Sequence, residues 1–163
     1  MQKQKNATLK TIFSEVLADL AFMFTDNEDI EPSPDDVWLE ATISYDGSVS
    51  GTLRFHCTGT FSVLLAANLL GTSPDDENAE SNANDAVKEF MNIVCGQFIT
   101  ATHGTQDIFN VTIPQIIEIE GPPDLFADDV SESSTFSVDG HQVQLSYIPG
   151  KIALPGQQPT PRE

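Results

Sequence analysis

Basic residues are scarce in this chain. Its 163 residues include 7 Lys and Arg against 25 Asp and Glu, which gives a formal net charge of -18. Such a charge repels the phosphate backbone of nucleic acids and the surface of anionic membranes, so we expect neither of them as a partner. We interpret the excess of acidic residues as a solubility feature, or an adaptation to salt, rather than as a binding device.

Cysteines and long apolar runs are also few. Cys57 and Cys95 are the only cysteines, and both lie in segments with apolar periodicity, which favours buried thiols over a disulfide or a reactive thiol. The longest apolar run, residues 61–70, is interrupted by Ser62 and Asn68 and falls short of the roughly 20 residues that span a bilayer. The first residues lack the apolar stretch of a secretion signal. These absences predict a cytoplasmic protein.

The sequence also lacks the motifs of several large enzyme classes. No Gly-rich phosphate loop, Gly-x-Ser-x-Gly or Ser-x-x-Lys pattern is present, which argues against nucleotide hydrolysis and acyl-enzyme chemistry. His56, His103 and His141 fall on different predicted elements without the spacing of metal ligands. His56 with Cys57 and Cys95 forms only a weak candidate set, because no two of them have paired ligand spacing. We therefore expect no metal site in this chain.

The apolar pattern predicts an α+β protein. Helices are inferred from apolar residues at helical spacing, and strands from alternating apolar and polar residues. An Asp-Gly pair marks the turn of each of two hairpins, Asp46-Gly47 and Asp139-Gly140. In chain order the predicted elements are a helix from Leu9 to Phe24, a half-buried hairpin over 37–57, a short helix over 61–70, a long helix over 83–102, a strand over 109–119 and a hairpin over 136–147.

The two halves of the chain resemble each other. Ser44-Tyr45-Asp46-Gly47 aligns with Ser137-Val138-Asp139-Gly140, the strands that follow align as well, and a long helix precedes each hairpin. Duplicated units of a helix plus a β-hairpin predict an antiparallel-rich sheet with helices packed on it. We expect one domain over residues 1–149, followed by a tail rich in proline and glycine over 150–163.

The long helix carries a polar stripe opposite its apolar face, at about 100° per residue. The expected core face is Ala83, Val87, Phe90, Val94, Phe98 and Ala101. The opposite stripe is Asp85, Glu89, Asn92 and Gly96. Gly96 would let a foreign surface approach the helix backbone closely, at a cost in helix stability. His103 either flanks this stripe or is a C-terminal residue favoured by the helix dipole.

Glu89-Phe90-Met91-Asn92, with Asp85 before it and Gly96 after it, resembles the Glu-x-x-Asn signature of the CheC/CheX/FliY family of chemotaxis phosphatases. The order of elements, Pro114 in the following strand and the duplicated halves are similar to this family too. The resemblance implies a CheC-like fold.

With a single Glu-x-x-Asn motif, the chain resembles the one-site CheX type of this family. The first half has Glu15 but carries Ala18 where the amide would be, and no other Glu-x-x-Asn occurs in the chain. Two-site members of the family, the CheC and FliY types, are therefore less similar to this chain.

The resemblance also implies a function. The chain would stimulate hydrolysis of the phosphoaspartate of a phosphorylated CheY-like response regulator. This partner brings its own Mg²⁺ ion and active-site lysine, so that the chain needs no cofactor. Asn92 would orient the attacking water and Glu89 would dock on the partner's lysine, while Asp85 and Gly96 would be further partner-binding residues. A homodimer joined along sheet edges is implied as well.

Two other interpretations stay open from the residues alone. The stripe suits a non-catalytic interaction module that binds a response regulator or a flagellar switch component, although such a module has no need of an amide at Asn92. An exposed Glu and Asn are also ordinary on an amphipathic helix, which is compatible with an acidic structural protein. A dephosphorylation assay separates the phosphatase from the module, and a binding assay separates the module from the structural protein.

Overall fold

The computed structural model describes residues 2–26, 30–31, 35–123 and 132–150 of the chain. The helices in these ranges are α1 (Gln2–Ala21), α2 (Gly59–Leu70), α3 (Glu77–Ser81) and α4 (Ala83–His103). The strands are β1 (Thr25–Asp26), β2 (Trp38–Asp46), β3 (Ser50–Thr58), β4 (Asn110–Val111), β5 (Gln115–Ile119), β6 (Glu132–Val138) and β7 (His141–Pro149). Among the described helices, none has the length and hydropathy needed to cross a membrane. Apart from Gly150, the predicted tail lies outside the described residues.

The described strands form one antiparallel sheet, and the α+β prediction is confirmed. The strand order is β1-β6-β7-β3-β2-β4, and β5 also pairs with β2. The two hairpins meet at the centre of the sheet, where β3 pairs with β7. The strand that follows each long helix pairs with the hairpin of the other half: β1 pairs with β6, whereas β4 and β5 pair with β2. This reciprocal arrangement matches the duplication predicted from the sequence.

One face of the sheet packs against the helices in a single apolar core. Phe55 of β3 lies at its centre and is fully buried. Phe13 of α1 stacks on Phe136 of β6 with ring centroids 5.1 Å apart, and meets Phe90 of α4 edge-on at 5.4 Å. These contacts place α1 and α4 in direct contact above the sheet.

The other face of the sheet carries polar side chains that are also buried. Ser44, Thr52, His56 and Gln144 are all at most 7% exposed. The hydroxyls of Ser44 and Thr52 lie 2.8 Å apart and satisfy each other across the hairpin. The prediction of a half-buried first hairpin was therefore wrong, because strand alternation tells which residues share a face but not what covers that face.

α1 starts earlier and ends earlier than predicted. Its last residue is Ala21, and the following Phe22 takes a left-handed conformation with φ of 54°. The Phe22 N–H donates to the Ala18 carbonyl at 3.2 Å, which closes the helix. The Asn68 side chain of α2 donates to the Ala21 carbonyl at 2.9 Å. As a result, Phe22 and Phe24 lie outside the helix and are 75% and 64% exposed.

The two Asp-Gly turns differ. Asp139 and Gly140 have φ of 48° and 84°, as a two-residue type I′ hairpin turn requires. In the first hairpin β2 continues through Asp46, and residues 47–49 form a longer loop. Gly47 is needed there for a different reason, since a Cβ atom would lie 2.7 Å from the Phe109 ring. Both predicted hairpins are confirmed, but in the first one Asp46 is the last residue of β2 and only Gly47 of the pair lies in the loop.

The strand predicted over 109–119 is broken into β4 and β5. Pro114 is buried between them and has no N–H to donate to the sheet. Thr112 bridges the gap, because its N–H donates to the Ser44 carbonyl at 2.8 Å and its hydroxyl accepts from the Ser44 N–H at 3.0 Å. The contact between this edge and β2 therefore continues past β4 as far as Thr112.

Candidate functional site

α4 is a helix of 21 residues that ends at a glycine. Asp85 in its first turn and His103 in its last turn suit the helix dipole. Gly104 has φ of 77°, and its N–H donates to the Thr100 carbonyl at 2.9 Å. The predicted bounds, 83–102, agree with the observed helix to within one residue.

The polar stripe of α4 faces solvent, as the spacing predicts. The exposed residues of the stripe are Asp85, Glu89, Asn92 and Gly96. The opposite side is buried and includes Ala83, Val87, Phe90, Val94 and Phe98. Ala101 was predicted on the buried face but is exposed, whereas His103 of the same last turn packs on Tyr45 and Phe109.

Buried neighbours hold the backbone beneath Glu89 and Asn92. Phe90 and Met91 lie between these two residues and are fully buried. The Phe90 ring packs on Phe55 with centroids 5.7 Å apart, in addition to its contact with α1. Since packed core residues occupy fixed positions, the backbone that carries Glu89 and Asn92 is rigid. A carboxylate and a carboxamide thus stand side by side on a firmly anchored helix.

Glu89 and Asn92 keep their hydrogen-bonding capacity for another molecule. In the part of the chain that the structure describes, neither side chain makes a hydrogen bond or an ion pair. Glu40 on the sheet, by contrast, forms ion pairs with Arg54 and His56. An exposed carboxylate and carboxamide without internal partners can accept and donate several hydrogen bonds to a docked surface.

Neither packing nor backbone conformation within the chain requires glycine at position 96. A Cβ atom built at this position would meet nothing within 4 Å outside the local helix backbone. Its φ is that of an ordinary helical residue, so an alanine would fit without strain. Glycine inside a helix costs about 0.5–1 kcal/mol relative to alanine. The helix therefore carries an unfavourable residue whose only visible consequence is an open backbone one turn beyond Asn92.

A family match covers the centre of the chain. The family model described as "Chemotaxis phosphatase CheX" matches residues 39–124, which is more than half of the chain and includes all of α4. The chain belongs to the CheX family. No curated protein matches this CheX-family chain in sequence.

Solved structures share the fold at low sequence identity. CheX from Desulfovibrio desulfuricans is 16% identical with a TM-score of 0.69, and the match covers 90% of this chain and 99% of that one. CheX from Vibrio vulnificus is 16% identical with a TM-score of 0.65, covering 89% and 98%. A chain of the CheX–CheY–BeF3–Mg²⁺ complex from Borrelia burgdorferi is 18% identical with a TM-score of 0.64, covering 89% and 97%. The prediction of a CheC-like fold is confirmed.

The histidines of this CheX-family chain lie away from the stripe. His103 is half-buried, and its ring packs on Tyr45 and Phe109 with centroids 6.0 and 5.4 Å away. It belongs to an aromatic cluster at the end of α4 and does not flank the stripe. His56 lies on the polar face of the sheet, where its Nε2 is 2.8 Å from Glu40 Oε2.

The contact with His56 lowers the pKa of Glu40. The hydrogen bond from His56 holds the pKa of Glu40 below its ordinary value, and the positive charge of Arg54, 3.8 Å away, acts in the same direction. Burial opposes both effects. Sequence reasoning did not find this cluster, although Glu40 and His56 are directly paired across the first hairpin.

The cysteines are buried and free, as predicted. Burial raises the pKa of the Cys95 thiol to about 12 and raises that of Cys57 as well. Only the thiolate is a good nucleophile, so neither cysteine is reactive near neutral pH.

Two cavities in the described residues lie apart from the stripe. One of about 190 Å³ lies between the start of α2 and the turn after β6, and is lined by Thr60 and His141 among others. The other, of about 200 Å³, lies beside β2 and β4 and is lined by Tyr45 and Val111 among others. No residue of the stripe lines either cavity.

Proposed function

We propose that the chain stimulates hydrolysis of the phosphoaspartate of a CheY-like response regulator. Membership of the chemotaxis phosphatase CheX family supports the phosphatase activity, and the fold it shares with the CheX of the Borrelia burgdorferi CheX–CheY complex supports the partner. The observation that carries the proposal is the exposed pair of Glu89 and Asn92 on a rigid helix, without partners among the described residues.

Asn92 orients the attacking water. Its carboxamide oxygen accepts a hydrogen bond from the water while its NH₂ group donates to a phosphoryl oxygen. A bond forms between the water oxygen and phosphorus as the bond from phosphorus to the aspartyl oxygen breaks. The products are the aspartate carboxylate, inorganic phosphate and a proton released to solvent. Because an amide has no useful pKa, Asn92 acts by positioning, like the glutamine of GTPases.

Glu89 anchors the partner. Its carboxylate accepts a charge-assisted hydrogen bond from the active-site lysine of the regulator, which sets the register that brings Asn92 over the phosphate. Asp85, one turn before Glu89, extends this contact, and Gly96 lets the partner approach the helix backbone. The Mg²⁺ ion belongs to the regulator. Among the described residues, no cluster of three or more His, Cys, Asp and Glu is arranged to hold a metal ion.

Variants of the pair test the proposal by timed phosphate release from the phosphorylated regulator. Asn92→Ala should lower the accelerated rate at least about 100-fold and leave binding to the regulator intact. Glu89→Ala should weaken both rate and binding, and Glu89→Lys should weaken them further by placing like charges together. Asn84→Ala is a matched control, because Asn84 is an exposed asparagine of α4 outside the stripe.

Each alternative predicts a different result. An unchanged rate with Asn92→Ala would remove the water-orienting role. Tight binding by the unmodified chain without any acceleration would identify a non-catalytic interaction module. Failure to bind any phosphorylated regulator of the same cell would leave a structural role.

We also propose that the chain forms a homodimer along the outer edge of β4 and β5. In the described ranges this edge has no further strand beside it, so backbone N–H and C=O groups are available for pairing. Exposed apolar side chains lie on or near it, including Ile108 at 88%, Ile113 at 80% and Val111 at 43%. A second copy related by a two-fold axis presents the same edge in the antiparallel direction, which makes the contact self-complementary.

A further inference from the structure

Lys88 is the only lysine or arginine of α4, and it stands beside Asn92. The two residues are four positions apart, which puts their Cβ atoms about 5–6 Å from each other. Glu89, three positions before Asn92, lies on the other side of the amide. Helical side chains lean toward the N-terminus, so the Asn92 amide extends over the turn that holds Lys88 and Glu89. The amide therefore lies between a cation and a carboxylate.

Lys88 is half-buried and has no acidic partner among the described residues. This is unusual in a chain with 25 Asp and Glu. The other cations with described side chains have partners: Arg54 lies 3.8 Å from Glu40, and the Lys10 ammonium lies 5.4 Å from the centre of the Phe136 ring. A half-buried lysine commonly buries its aliphatic stem and keeps its charged end at the surface. The site thus includes an uncommitted positive charge.

The positive charge of Lys88 matters because the rest of the chain is strongly acidic. A net charge of -18, with Asp85 and Glu89 on the stripe itself, repels a phosphoryl group that carries two negative charges. During hydrolysis the negative charge is spread over the phosphoryl oxygens, and a cation that touches them lowers the barrier. A lysine ammonium suits this role because it offers three donors at the end of a long side chain.

We propose that the Lys88 ammonium donates hydrogen bonds to the phosphoryl oxygens of the bound regulator while Asn92 orients the water. Glu89, on the other side of the amide, accepts the hydrogen bond from the lysine of the partner. Lys88 then contacts the phosphoryl group, Asn92 contacts the water and a phosphoryl oxygen, and Glu89 contacts the lysine of the partner. This inference rests on the proposed function, because it requires a phosphoaspartate in front of Asn92.

Steady-state phosphate release with the phosphorylated CheY-like regulator tests the role of Lys88. Lys88→Gln should lower kcat at least about 10-fold while KM changes little, because the contact strengthens as charge develops. Lys88→Arg keeps the positive charge and should recover part of the rate. Lys10→Gln is the matched control, since it makes the same change in net charge on an exposed residue of α1. It should leave kcat unchanged.

Two results would overturn the inference. One is an equal kcat for Lys88→Gln and Lys10→Gln, and the other is a loss confined to KM, which would place Lys88 in docking only. Asn92→Ala in the same assay separates this inference from the proposed function. If Asn92→Ala is inactive and Lys88→Gln is fully active, only the role of Lys88 fails. If Asn92→Ala is fully active, the water-orienting role of Asn92 fails, and if the unmodified chain gives no acceleration, the proposed function itself fails.

Folding of each variant can be followed through Trp38. It is the only tryptophan of the chain and is 1% exposed, so its fluorescence reports loss of the native core. Lys88→Ala, which keeps a strong helix former at this position, serves in place of Lys88→Gln if the glutamine variant does not fold.

Discussion

Replacing Gly96 with alanine should make the fold more stable and the protein less active on its partner. The Cβ atom would meet nothing within 4 Å outside the local helix backbone, so no steric cost opposes the gain in helix propensity. That gain is about 0.5–1 kcal/mol. For a chain of this length it corresponds to a rise in Tm of about 1–4 °C, since about 1 kcal/mol shifts Tm by about 2–4 °C.

The same methyl group should interfere with docking. It points to solvent on the stripe that holds Asn92, where the proposed partner comes closest to the α4 backbone. Extra atoms in a packed contact commonly cost about 1–3 kcal/mol, or about 5-fold to 150-fold in kcat/KM. Gly96→Leu, another strong helix former, should keep the folded state stable and lose more activity than Gly96→Ala.

Thermal unfolding and phosphate release on the same samples give the two measurements. Gln97→Ala is the control, because Gln97 is exposed and adjacent but points about 100° further around the helix. It should leave kcat/KM unchanged. A Gly96→Ala variant that is more stable and fully active would refute the docking role of the open backbone. One that is less stable would refute the assignment of free space above Gly96.

Two further predictions concern the sheet. Glu40→Gln should destabilise the fold most near neutral pH. The hydrogen bond from His56 lowers the pKa of Glu40 below 4.5 in the folded state. The stability that the ionised Glu40 carboxylate contributes is therefore present above pH 4.5 and is lost as the pH falls through the lowered pKa. Urea unfolding followed by Trp38 fluorescence should therefore give a difference between native chain and variant that closes in acid, and a constant difference would contradict the assignment. Ile113→Asp should convert the proposed dimer to a 17.7 kDa monomer in light scattering without unfolding it, since Ile113 is 80% exposed; a persistent dimer would place the interface elsewhere.

The site helix could be predicted from the sequence because its pattern is local. Helical periodicity alone separates Phe90 and Val94 from Glu89 and Asn92, and the structure buries the first pair and exposes the second. The same reasoning failed at Ala101, because periodicity gives the direction of a side chain but not which neighbours pack against it.

Long-range features of the fold were not predictable in this way. The short strand β1 pairs with β6, more than a hundred residues later in the chain. No local sequence pattern in Thr25–Asp26 predicts that pairing. The brief helix α3 was not predicted, although Asp76 is a typical N-cap whose side chain accepts from the Asn78 N–H at 2.9 Å. Lys88 was overlooked for a different reason: its spacing to Asn92 is visible in the sequence, but its lack of an acidic partner is visible only in the structure.

α1 lacks the asparagine and the open glycine of α4, although the two helices occupy equivalent places in the duplicated halves. Aligning Glu15 with Glu89 puts Ala18 at the position of Asn92. Glu15 is exposed, but Ala18 has no amide with which to orient a water. One turn further, where α4 has an open glycine, the first half has Phe22, which lies outside the helix and is 75% exposed. A partner could therefore neither approach the α1 backbone closely nor receive a positioned water there, and the proposed hydrolysis depends on α4 alone.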